Sequence, residues 1–170
     1  MMGIPVRIAL AAIAWMGMAG MVRAEPSLTY VFEETVTLAA DITPGKTGLG
    51  DRNLVPITGG TFEGPGNGSG IRGNILPGGW DWQLKRNDGC LQIKADYMLK
   101  TDDGAIINIV NSGVVCMPEP GKPPVIRTLP VFEAPAGKYE WLSKSNFIGT
   151  LEPVQSAGVP AVKIRFYRID

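Results

Sequence analysis

The chain reads as an antiparallel all-β domain behind a short apolar leader, and three features of the sequence predict this. Glycine and proline, 22 and 14 residues of 170, punctuate the chain every ten residues or so, the spacing of short strands joined by turns. Several segments alternate apolar and polar residues with the period of two that half-buries a strand. After the leader, no long segment carries the period of an amphipathic helix, and there is no repeat or low-complexity tract. Many short antiparallel strands of this kind close into a barrel or stack as a sandwich.

The leader opens with a single positive charge at Arg7, then an apolar run from Ile8 to Met21, then Val22-Arg23-Ala24. Small or aliphatic residues at the first and third positions before a scissile bond suit a signal peptidase, so cleavage is predicted between Ala24 and Glu25. The apolar run is shorter than the roughly 20 residues a membrane span needs, and no Cys follows the cleavage position to carry a lipid anchor. The expected organisation is a signal peptide over residues 1–24 and one domain over 25–170, periplasmic or secreted, with no stable membrane insertion after cleavage.

Cleavage removes Arg7 and Arg23 and no acid, leaving 14 basic and 16 acidic side chains. That slight acidic excess argues against a nucleic-acid partner. The chain has no histidine, which excludes Ser-His-Asp and Cys-His catalysis and the common histidine-based zinc sites. No metal and no cofactor is expected. Catalysis, where present, falls to carboxylates, Tyr, Lys, Arg or backbone dipoles.

The clearest local structure lies between the two cysteines. Leu91, Ile93, Ala95, Tyr97 and Leu99 alternate with Gln92, Lys94, Asp96, Met98 and Lys100. Thr101-Asp102-Asp103-Gly104 then supplies a turn, and Ala105 to Val115 a return strand. A turn centred on Asp103 sets Tyr97 opposite Ile109, Ala95 opposite Asn111 and Cys90 opposite Cys116. An exported chain meets an oxidising compartment, so a Cys90–Cys116 disulfide is predicted. A register slip of one residue would instead put the two thiols on opposite faces.

Elsewhere, Leu28 to Leu38 reads as a long first strand and residues 41–53 as a loop. Asn53–Thr58 and Gly59–Gly64 read as two short strands, the second with close backbone approach at its glycines. A short strand is expected over Ile71–Leu76 within a loop region, and another over Trp80–Leu84, ending at the turn Arg86-Asn87-Asp88-Gly89. Met117 to Pro124 is a proline-rich connection and Val125 to Phe132 a strand. Tyr139 to Ser143 suits a helical turn or a strand, and Val159 to Ile169 closes the chain with Val162, Ile164 and Phe166 on one face.

Three ordered segments carry a family resemblance. They are Asn53-Leu54-Val55-Pro56-Ile57-Thr58-Gly59-Gly60-Thr61-Phe62-Glu63-Gly64-Pro65, Ile75-Leu76-Pro77-Gly78-Gly79-Trp80-Asp81-Trp82, and Thr101-Asp102-Asp103-Gly104-Ala105-Ile106-Ile107. Together with Tyr139-Glu140-Trp141-Leu142 and Phe147-Ile148-Gly149, they resemble the domain of unknown function 3237 family across essentially all of the predicted mature chain. The resemblance implies a lipocalin-like antiparallel β-barrel and brings no established activity. Two departures stand out. The hairpin strand has Lys94 before Asp96, where the family pattern has an acid before a base, and Ser143 stands where the family has Asn. Family members generally lack an export signal, so an exported member is a specialisation.

The site candidates follow from residue type and place. In Gly78-Gly79-Trp80-Asp81-Trp82, glycines let backbone approach a ligand, Trp80 offers flat apolar surface, and Asp81 is placed to orient or deprotonate a polar group. The plainer alternative for Asp81 is bonding to turn amides. Arg52, before a strand, is a candidate clamp for a ligand carboxylate or else a surface ion-pair partner. Glu63 is a buried acid with a raised pKa if it points inward and Phe62 outward; alternation permits the reverse equally. Tyr97 and Asn111 share the apolar face of the hairpin, as ligand contacts or as satisfied core groups. Asp102 and Asp103 are turn chemistry. The expected function is binding of a small molecule, apolar with a polar or acidic group, by Arg52, Trp80, Asp81, Tyr97 and Asn111. The alternatives are a cofactor-independent cyclase or isomerase using Asp81 or Glu63, and a cell-envelope structural or interaction domain with a filled interior.

Overall fold

Strand pairing runs in a ring. The computed structural model describes residues 25–65, 70–116, 118, 121, 122 and 125–170. The predicted signal peptide, residues 1–24, and its cleavage point therefore lie outside the described residues. Ten strands are found among those described: β1 (Leu28–Leu38), β2 (Ile42–Thr47), β3 (Gly50–Glu63), β4 (Arg72–Ile75), β5 (Gly79–Lys85), β6 (Leu91–Thr101), β7 (Ile106–Val115), β8 (Ile126–Glu133), β9 (Asn146–Ser156) and β10 (Val159–Ile169). A short 3₁₀ turn, Glu140–Lys144, joins β8 to β9.

Antiparallel neighbours follow the order β1, β10, β9, β8, β7, β6. β4 and β5 then share one position end to end, each lying between β3 and β6. β3 pairs back onto β1, so the sheet closes on itself as an eight-position barrel. Closure removes the exposed edges that an open sheet of this size would present.

The hairpin β6–β7 has the expected register, with Tyr97 opposite Ile109 and Ala95 opposite Asn111. Extending that register brings the cysteines together, and Cys90 and Cys116 form a disulfide with Cα atoms 4.2 Å apart. The bridge is consistent with an oxidising, extracellular compartment. At the other end of the hairpin, Gly104 takes φ of +89° and its N–H bonds to the Thr101 carbonyl. Asp103 accepts from Lys138, Thr101 and Tyr139, and the Lys138 ammonium leads in holding its carboxyl well below the usual range.

Three elements differ from the sequence reading. Residues 41–53 are not a loop, because β2 pairs with the start of β3 there. The two short strands expected over 53–64 are one continuous β3, with positive φ at Gly59 and Gly60. A Cβ on Gly60 would lie 2.0 Å from the Thr35 carbonyl oxygen, so close backbone approach is what the glycine permits. β9 is a second strand, after β2, that the sequence reading did not contain. Within it, Gly149 is where Thr128 on β8 presses against the backbone, a Cβ there meeting Thr128 Oγ1 at 2.2 Å. Pro153 lies past the end of the β8 pairing, where, among the described residues, the strand is paired with β10 alone.

Inward-facing aromatics fill one end of the barrel. Phe32 packs against Phe166 at 4.8 Å between ring centroids and also contacts Phe62 and Phe132. Leu142 of the 3₁₀ turn is buried in the same cluster. This filled end is the one with the β6–β7 turn, since Tyr139, also in the cluster, bonds Asp103. The other end, beside the disulfide, is not filled.

Candidate functional site

At the unfilled end the barrel encloses a cavity of about 220 Å³. Its wall is largely aliphatic, with Leu91 and Val115 each one residue from a bridged cysteine. Four polar side chains face it: Asp81, Gln83, Tyr97 and Asn111. The strands explain why these four meet. Asp81 on β5 lies opposite Ala95 on β6, and Ala95 lies opposite Asn111 on β7. One row across three strands therefore carries an acid, a methyl group and an amide, and the small central residue leaves space between the two polar ones.

Asp81 is held by its neighbours. Its Oδ2 accepts from Gln83 Nε2 at 2.7 Å and its Oδ1 from the Lys94 backbone N–H at 3.1 Å. Burial nevertheless pushes its carboxyl above the ordinary range, with those two bonds opposing the shift. Asn111 is 3% exposed, and its Oδ1 has no hydrogen-bond partner among the described residues.

Behind Tyr97 lies a group that sequence reading missed. Glu34 on β1 is 1% exposed, and Tyr97 donates its phenolic hydrogen to Glu34 Oε1. Burial pushes the Glu34 carboxyl up to about 8, against the lowering effect of the Tyr97 bond. The Tyr97 hydroxyl is itself raised well above its usual value, first by burial and then by Glu34. The other Glu34 oxygen, Oε2, is buried without a partner among the described residues. A signal was present: Phe32, Glu34, Val36 and Leu38 occupy alternate positions of a strand whose other three inward residues are apolar.

Asp81, Tyr97 and Asn111 thus lie together inside the barrel, whereas Arg52, Trp80 and Glu63 lie outside it. Arg52 pairs across from Leu84 while its neighbour Asn53 faces Gln83, so alternation turns Arg52 outward. It lines a surface depression with Trp82, Lys94 and Asp96. Trp80 is 37% exposed on the same outer face. Phe62 takes the inward position on β3, and Glu63 is exposed beside Arg72 and Lys138. The inverted Lys94 and Asp96 also project outward, so that departure leaves the cavity wall unchanged. Ser143 accepts the Ala134 backbone N–H at 2.7 Å, tying the 3₁₀ turn to the segment after β8.

The fold and site define a closed antiparallel β-barrel with an aromatic plug at one end and an acid-bearing apolar cavity at the other. The chain belongs to the family described as "Protein of unknown function (DUF3237)", whose model matches residues 26–169. It is similar to the UPF0311 protein of Rhodopseudomonas palustris strain TIE-1, 35% identical over 133 residues that cover 71% of this chain and 84% of that protein. A solved structure from Clostridium acetobutylicum, of a protein with unknown function, matches with a TM-score of 0.75 at 31% identity, covering 85% of this chain and 99% of that one. The chain is also similar, at 26% identity over 125 residues covering 74% of each chain, to the hydroalkoxylation enzyme phnH of Penicillium herquei.

Proposed function

We propose that the barrel binds a small, mostly apolar molecule at its unfilled end and moves a proton on it with Asp81, as a cofactor-independent cyclase or isomerase. The observation that carries this reading is a carboxyl group facing an apolar cavity, its proton affinity raised by burial. Such a group holds its proton more tightly than an exposed aspartate does, which suits it to deliver one to a bound molecule. A filled interior would have favoured a structural role, and the cavity of about 220 Å³ favours the other two readings.

The similarity to a hydroalkoxylation enzyme suggests the type of step. Hydroalkoxylation adds an O–H bond across a carbon–carbon double bond. Protonated Asp81 would give its proton to one alkene carbon while a hydroxyl oxygen bonds to the other. The hydroxyl proton would return to the Asp81 carboxylate, leaving the enzyme unchanged and no net oxidation. A panel of alkenols incubated in deuterium oxide tests this. The expected product is a cyclic ether bearing one carbon-bound deuterium, formed by the unchanged protein and lost in Asp81→Asn. Equal turnover by Asp81→Asn would remove Asp81 from the reaction.

Simple binding without turnover is the second reading. It is favoured by the two bonds that already occupy the Asp81 oxygens and suit the side chain to orienting a ligand. In either case the signal-like leader and the disulfide support a place of work outside the cytoplasm, in the periplasm or secreted.

A further inference from the structure

We propose that the cavity selects uncharged, hydroxyl-bearing molecules, that it recognises the hydroxyl through Asn111, and that it rejects carboxylates; this rests on the reading of the cavity as a ligand site. Three observations carry it. First, none of the described residues lining the cavity is Lys or Arg. The one cation suggested for a ligand carboxylate, Arg52, is on the outside of the barrel. A carboxylate entering the cavity would find no counter-ion, and would meet Asp81 directly and Glu34 behind Tyr97. Burying an unpaired charge in an apolar cavity is among the least favourable events in a protein interior.

Second, the other polar side chains on the wall already have hydrogen-bond partners. Asp81 holds Gln83 and the Lys94 amide, and the Tyr97 hydroxyl donates to Glu34. Third, Asn111 is buried with an unsatisfied acceptor on the cavity wall. Buried acceptors are nearly always paired in folded proteins, so an open one on a cavity wall marks where a bound molecule supplies the donor. A neutral amide oxygen matches a neutral hydroxyl. The Ala95 methyl between Asp81 and Asn111 leaves room for the ligand to reach both.

Calorimetric titration at neutral pH with naphthol, its methyl ether and naphthoate tests the proposal on the whole protein and on Asn111→Leu. The expected order in the unchanged protein is naphthol tighter than the ether by about tenfold, the size of one well-made buried hydrogen bond. Naphthoate is expected to be weaker still. In Asn111→Leu the naphthol preference disappears while the ether binds at least as well, which also reports an intact cavity. Equal binding of naphthol and ether by the unchanged protein, or naphthoate as the tightest of the three, would overturn the selectivity and leave the ligand-site reading standing. Failure of all three probes to bind would overturn both.

Discussion

The hydroxyl of Tyr97 on β6 donates a hydrogen bond to the carboxyl of Glu34 on β1, joining two distant parts of the chain inside the barrel. Burial raises Glu34 from 4.5 to about 8. Over that window the folded protein keeps a proton that the unfolded chain has released. The stabilisation is therefore complete below the unfolded value of 4.5 and is lost as pH rises through about 8. Asp81, also raised by burial, acts in the same direction. Urea unfolding from about pH 5 to about pH 8 should show stability falling by an order of a few kcal/mol. Glu34→Gln should flatten most of this fall, leaving the variant the more stable protein at the alkaline end. Parallel pH profiles for the two proteins would refute the assignment.

Tyr97→Phe removes the donor to Glu34 found among the described residues and leaves a second buried oxygen unpaired. It should destabilise the protein by about 1–3 kcal/mol near neutrality. Because the Tyr97 bond lowers the Glu34 pKa, the same substitution should move the pH dependence of unfolding further to alkaline values. A double-mutant cycle with Glu34→Gln separates the hydrogen bond from the packing of the ring.

Gly79 is where β5 passes closest to Tyr97. A Cβ there would lie 2.5 Å from Tyr97 Cβ and 2.8 Å from the Asp96 carbonyl oxygen. Gly79→Ala should therefore destabilise by about 2 kcal/mol or more and displace the strand that carries Asp81. At Gly78, with φ of +105° and open space around it, alanine meets only backbone strain, of order 1 kcal/mol. Thermal melts of the two variants, with naphthol binding measured on each, should show the Gly79 variant losing both stability and affinity and the Gly78 variant keeping its affinity.

The bridged cysteines are 26 residues apart. Opening the bridge should cost about 3–4 kcal/mol, mostly by releasing the unfolded chain. Guanidinium unfolding of the Cys90→Ser, Cys116→Ser double variant measures this directly. A change well under 1 kcal/mol would mean that the nearby barrel strands already hold the mouth together.

Much of the fold was legible because it is local. The β6–β7 register follows from one Asp-Asp-Gly turn, and counting outward from that turn brings Cys90 and Cys116 together. β1 was legible from its β-branched and aromatic run, with the same bounds as observed. β9 was not, because Gly149 is explained only by Thr128 on another strand, a contact no local pattern encodes. The site divides in the same way. Tyr97 and Asn111 were placed on the inner face by alternation within the hairpin. Arg52 and Trp80 were grouped with them by residue type alone, and the pairing of β3 with β5 turns both outward. Glu34 was within reach of the same alternation rule in β1. Its partner Tyr97 lies 63 residues away, so the pairing itself required the closed barrel.

The central claim is that ligands are held inside the barrel, between Asp81 and Asn111, and not on the outer tryptophan face. Naphthol titration of Ala95→Phe and of the Arg52→Ala, Trp80→Ala double variant, with melts to establish folding, tests it most directly. Filling the gap at Ala95 should abolish binding, and stripping the outer face should leave the affinity within about twofold of the unchanged protein. Retained binding in a folded Ala95→Phe variant, with loss in the outer-face variant, would contradict the account.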